Sequence, residues 1–320
     1  MSGRHWFGAL FAISALLAAP EAHAFCRTMT ERPPPDHDPI LSGCYTGGIP
    51  LFWRNACIGY SLQRELSRKI SYTDAANAIS AAFTRWTGAT CPVDASGNSQ
   101  TSIDARDLGP ADCARVEYRS GLPNQNVIIF RDQSWPYSPS VLGLATVIFS
   151  PQTGEIFNAD LELYTIDMVP LAVRVPVAPD AYDFASVVTH EVGHFFGIAH
   201  SDVEGSTMFA RYDPGETRMR YLSPDDISAI CTVYSPARDR EIVNGRVVAA
   251  PQCDPTPRGG YSQQCAERED PGCAITTQPP RSATGLAYAL ALAGAVAVRR
   301  ARRPATKSDA ISSKASLFSR

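Results

Sequence analysis

The eleven residues His190-Glu191-Val192-Gly193-His194-Phe195-Phe196-Gly197-Ile198-Ala199-His200 constrain this chain more than any other stretch. Positions four apart share one face of an α-helix, so His190 and His194 present two imidazoles to the same point. Gly197 suits the positive φ at which helices end, and a turn there returns His200 as a third nitrogen ligand. Three protein ligands with Zn–N distances of about 2.0–2.1 Å leave a coordination position open, which distinguishes a catalytic zinc from a structural one. Glu191, beside the first ligand, is placed as the general base that takes a proton from water. A surface helix with incidental histidines is the bland alternative. From composition, its chance of producing this pattern anywhere in the chain is on the order of a few in a million. Of the 6 histidines, His5 and His23 lie near the N-terminus and only His37 falls elsewhere outside the pattern.

The first residues read as an export signal. Arg4 precedes an apolar run from Trp6 to Ala19, and Ala22-His23-Ala24 offers a small-x-small cleavage site, so residues 1–24 are expected to be removed. All 9 cysteines follow that point, and no CxxC pair occurs among them. Export with many cysteines implies disulfides rather than a cysteine-built metal cluster. Short loops favour Cys26–Cys44 and Cys91–Cys113, with Cys57–Cys231 as a further pairing. The formal charge of −3 gives no electrostatic basis for nucleic-acid binding.

Residues 25–50, with Pro33-Pro34-Pro35, read as an irregular, disulfide-pinned lead-in too short for a large prodomain. The compact domain is expected over 51–236. Cys57–Gln63, Asn126–Asp132, Leu142–Phe149 and Phe157–Tyr164 have strand character, the last alternating with Asp160 and Glu162 on one face. Tyr72–Trp86 reads as a helix with Thr73 as a plausible N-cap, Tyr182–Gly197 as the motif helix, and Ser223-Pro224-Asp225-Asp226 as the capped start of a last helix. Cys91–Pro123 reads as loop. Interspersed strands and helices make the class α/β or α+β.

Ser206-Thr207-Met208 follows His200 at the distance of the methionine turn of metzincins, and Met208 is the matching residue. Within that class the chain resembles the matrixins, and more narrowly bacterial matrixin-like exported proteases, over about Leu51–Tyr234. Trp53 and Tyr60 match the spacing at the start of their catalytic domains, and Leu222–Ile227 resembles the start of their C-terminal helix. Tyr212, four after Met208, matches a tyrosine in the wall of their specificity pocket. Leu144-Ala145 resembles the edge-strand pair whose backbone holds substrate. The resemblance implies a twisted, mostly parallel five-stranded sheet, three main helices and a zinc cleft between upper and lower subdomains. It also implies a Zn²⁺-dependent endopeptidase acting on protein or peptide substrates, here expected to be monomeric. Asn158-Ala159-Asp160-Leu161-Glu162 resembles a calcium-binding strand, so Asp160 and Glu162 are candidate Ca²⁺ ligands, against the simpler reading of a solvated polar face. Thr146 stands where a histidine of the family's second, structural zinc would be expected, so no second zinc is expected. Asp183 and Asp202 flank the motif and are given orienting roles only.

Beyond the domain, 237–281 reads as a cysteine-containing linker or small module. An apolar stretch and arginine cluster over 282–303 resemble the C-terminal sorting tails of Gram-negative bacteria, notably the myxobacterial type. A plain membrane anchor is the alternative. Residues 304–320 read as a basic tail. The expectation is a protein exported to the extracellular side or outer surface of such a cell, whose tail meets the membrane or sorting machinery. A zinc hydrolase with a non-peptide substrate and a non-catalytic surface zinc protein remain open on sequence alone.

Overall fold

The computed structural model describes residues 25–237, 242–243, 246–247, 254–266 and 311–319. The expected signal segment, Cys253, Cys273 and the apolar tail stretch 282–303 lie outside the described residues. Elements follow in the order α1 (Pro39–Ser42), β1 (Cys57–Gln63), α2 (Tyr72–Thr87), β2 (Asp104–Ala111), β3 (Val127–Arg131), β4 (Val141–Phe149) and β5 (Ile156–Tyr164). Then come β6 (Leu171–Ala172), β7 (Tyr182–Asp183), α3 (Phe184–Phe195), β8 (Arg211–Tyr212), α4 (Pro224–Val233), β9 (Ile242–Val243), β10 (Arg246–Val247) and β11 (Ile311–Ser319).

One sheet runs β2-β1-β3-β5-β4-β11-β8. Its first five strands are the expected mostly parallel core: β2, β1, β3 and β5 are parallel and β4 is antiparallel to β5. With α2, α3 and α4 as the main helices, the domain is an α/β fold of the metzincin kind. The continuous apolar run Val127–Phe130 explains the central β3, because a parallel strand covered on both faces needs no polar alternation. β2 stands where loop was expected. Its Gly109 and Pro110 conceal strand character, and both are tolerated because β2 is an edge strand.

The helices sit on the sheet through aromatic packing. Tyr60 of β1 stacks on Phe83 of α2 with centroids 4.0 Å apart, and Phe83 meets Phe195 of α3 edge-on at 5.1 Å. The indole N–H of Trp86 donates to the Thr189 carbonyl at 2.8 Å, and that of Trp53 to the Phe195 carbonyl at 2.7 Å. All twelve residues of α3 are buried, as befits a helix apolar on most of its circumference. The N-cap of α2 is Ser71, whose hydroxyl accepts from Asp74 N–H, rather than the expected Thr73, which lies inside the helix.

Cys26–Cys44 forms as expected, but two pairings need correction. Cys91 bonds Cys231, and Cys113 bonds Cys265. Loop length was the wrong guide: Cys91, just after α2, lies against the last helix, although 140 residues separate the two cysteines. Residues 254–266, inside the expected linker, are packed onto the domain. Tyr261 bridges to Asn124, Gln264 bridges to Asp112, and Arg258 lies over the Phe157 ring at 4.2 Å. The lead-in also has a structural task. Thr28 N–H donates to the Gly197 carbonyl at 3.0 Å and Ala199 N–H to the Cys26 carbonyl at 2.9 Å, buttressing the turn that precedes His200.

Candidate metal centre

The motif helix begins at Asp183, whose carboxylate accepts from Ser186 N–H at 3.0 Å and from the Arg220 guanidinium at 2.6 Å. Asp183 thus caps α3 and ties its N-terminus to Arg220. The helix carries His190 and His194 one turn apart. Gly197 then takes φ +84°, and an added Cβ there would stand 2.9 Å from the Leu51 carbonyl oxygen. Only glycine meets both demands, and the turn it permits brings His200 back to the other two rings.

The three histidines converge. His190 Nε2 lies 3.1 Å from His194 Nε2, which lies 3.2 Å from His200 Nε2. The opposite nitrogens of the first two rings are committed: His190 Nδ1 donates to the Thr207 carbonyl at 2.6 Å and His194 Nδ1 to the Ile198 carbonyl at 2.8 Å. Those bonds fix the tautomer and turn the Nε2 lone pairs toward one another. Burial, and then the neighbouring imidazoles, hold His190 and His194 well below the usual histidine pKa, so both are neutral at neutral pH. Three imidazole nitrogens aimed at one point, two of them held neutral, fit a zinc ion. Among the described residues the other such grouping is Cys113, Glu117 and Cys265, and its two sulfurs are joined in a disulfide.

Glu191 is fully buried and lies against the backbone of β4. A Cβ built at Gly143 would fall 2.6 Å from its Oε1. Gly143 therefore sets how closely the Glu191 carboxylate approaches the strand next to Leu144-Ala145, a dependence that sequence reading missed. On the expectation that Glu191 is the general base, Gly143→Ala should fold normally while turnover falls on the order of 10²-fold, the cost of displacing a catalytic group by about an ångström. Unchanged kcat in that variant would contradict the placement.

Met208 sits beneath the metal helix, where a Cβ at Gly193 would collide with its Sδ. Its turn is held by Asp226, a residue read from sequence only as an acid in the first turn of a helix. Asp226 accepts from Thr207 N–H at 2.7 Å, Met208 N–H at 3.0 Å and Ser223 N–H at 2.8 Å, and it completes the capping box of α4. Because the Thr207 carbonyl accepts the hydrogen bond from His190 Nδ1, one buried carboxylate connects α4, the methionine turn and His190. Tyr212 is buried on β8 with its hydroxyl donating to the Glu216 carbonyl, and burial pushes its pKa up to about 12. Asp202 is exposed in the loop after His200.

Leu144 and Ala145 lie on β4, the strand that ends the five-stranded core. Asp160 and Glu162 are not a solvated face: each is 1% exposed. Asp160 accepts from Val127 N–H at 2.8 Å and Glu117 N–H at 3.2 Å, and Glu162 from the Arg131 side chain at 2.8 Å and Tyr137 O–H at 2.7 Å. Every carboxylate oxygen of the pair has a protein donor, so these contacts lend the calcium expectation no support.

Fold and site together define an α/β domain with a three-histidine metal centre and a buried carboxylate beside it. Residues 123–235 match the Matrixin family model, which makes this segment matrixin-like. Metalloendoproteinase 4-MMP of Arabidopsis thaliana is 30% identical over 94 residues, which are 29% of this chain and 26% of that protein. Metalloendoproteinase 1-MMP of the same plant is 32% identical over 96 residues, 30% of this chain and 25% of that protein. Metalloendoproteinase 2-MMP is 34% identical over 94 residues, 29% and 24% of the two chains. The chain thus spans about a quarter of the length of these curated relatives.

Proposed function

We propose that this chain is an exported zinc-dependent endopeptidase that hydrolyses peptide bonds in extended protein or peptide segments. The observation that carries the reading is the convergence of His190, His194 and His200 beside buried Glu191, which lies against β4. The match to the Matrixin model and the metalloendoproteinase names of the plant relatives support it.

A zinc ion held by the three histidines would lower the pKa of a water and polarise a carbonyl oxygen. The chain's own groups do the rest. The β4 backbone around Leu144-Ala145 aligns the peptide by strand addition. The Glu191 carboxylate accepts the proton of the attacking water and returns it to the departing amide nitrogen. Its burial against Gly143 keeps bulk water from the reacting bond, and Tyr212 closes one wall. The disulfides and the N-terminal segment 1–24 support an extracellular or outer-surface location.

The test is cleavage of a denatured-protein or peptide library by the purified protein, read by mass spectrometry. Internal cuts that a chelator abolishes and added zinc restores are expected. Library peptides left intact by the zinc-loaded protein would favour a non-catalytic or non-peptide role.

A further inference from the structure

The sheet continues past the edge that would hold substrate. β11 pairs antiparallel with β4 along nearly its whole length and parallel with β8 on its other side. The register sets Lys314 opposite Thr146, Ala315 opposite Ala145, Ser316 opposite Leu144 and Leu317 opposite Gly143. Phe318 and Ser319 lie opposite Arg211 and Tyr212. Gly143 is the residue against which the Glu191 carboxylate rests, and β8 begins three residues after Met208. The slot between β4 and β8 is one strand wide, so the two neighbouring spacings of about 4.7–4.9 Å each are both filled by this segment.

We infer that Ile311–Ser319 is a built-in occupant of the substrate slot, a substrate-like strand that competes with peptides for the β4 edge. This rests on the peptidase reading and extends it to regulation of the same site. Two backbone edges facing one another across a single strand's width leave both rows of N–H and C=O groups wanting partners. Ile-Ser-Ser-Lys-Ala-Ser-Leu-Phe-Ser suits that slot: it has no proline or glycine and a single charged residue. Being tethered, the segment acts at an effective concentration in the millimolar range. Weak intrinsic affinity then suffices for inhibition. Loss of the tail would open the cleft.

The test compares the zinc-loaded chain with a variant ending at Ala310, using one quenched peptide substrate. The variant should show kcat/KM raised about tenfold. The synthetic peptide Ile311–Ser319 should inhibit it competitively. Hydrogen exchange at Leu144–Val147 reads the same event without activity, and those amides should exchange faster in the variant. Equal exchange in the two proteins overturns the inference, as does equal turnover with no inhibition by the peptide. If both proteins bind zinc and neither cleaves while exchange differs, the occupant stands and the peptidase reading falls. Protection that disappears on dilution would assign the strand to a second copy and overturn the intramolecular form.

Discussion

Glu191→Gln is expected to lower peptide cleavage by about 10²–10⁴-fold, the usual contribution of a positioned general base, while zinc content stays at the level of the unsubstituted protein. Glutamine keeps the volume and leaves the three imidazole nitrogens untouched, so neither packing nor metal binding should change. It cannot accept the proton that water must lose. The buried position sharpens the expectation, because Glu191 is fully buried against Gly143. The loss should fall on kcat rather than KM, since peptide alignment belongs to the β4 backbone. Full activity in this variant would remove Glu191 from the chemistry. Loss of zinc along with activity would make it a structural residue.

Asp226→Ala is expected to have the largest effect on stability, at about 3–4 kcal/mol, because buried hydrogen bonds to a charged group are lost and their donors are left unsatisfied. In a domain of this size that corresponds to a Tm lower by roughly 10 °C, readable by calorimetry or circular dichroism. A second consequence separates this carboxylate from an ordinary helix cap. The Thr207 and Met208 amides lose their acceptor, and the Thr207 carbonyl that orients His190 loses its anchor. Zinc affinity should therefore fall about 10–100-fold, as for other partners that orient a metal ligand. Asp226→Asn, which keeps one carbonyl acceptor, should recover part of both losses. A drop in Tm with unchanged zinc affinity would confine Asp226 to capping α4.

The site was legible in the sequence where spacing carries the chemistry. Helical periodicity and a glycine exit bring His190, His194 and His200 together whatever the rest of the chain does. Ser223-Pro224 likewise announces the start of α4 from local chemistry alone. What spacing could not reveal depends on which distant segments cover a surface. Asp160 and Glu162 alternate along β5 as a solvated face would. Their burial comes from Arg131, Tyr137 and the backbone at Glu117 and Val127, none of which leaves a mark on β5 itself. Gly143 looks like an ordinary strand glycine until Glu191 is seen beside it. β2 lacks any apolar period because an edge strand with a glycine and a proline needs none. Disulfide pairing depends on three-dimensional proximity: Cys91 and Cys231 meet only because the segment after α2 is folded against α4. The substrate-like placement of Ile311–Ser319 was hidden for the same reason, since a polar tail carries no register until the edge it pairs with is known.

Stoichiometric zinc titration into the metal-free protein, with cleavage of a fixed peptide followed at each addition, tests the central claim most directly. The account predicts activity that rises from near zero and reaches its plateau at about one equivalent, set by the one open three-histidine centre. Full cleavage by the metal-free protein, or saturation of that centre without any cleavage, would contradict it.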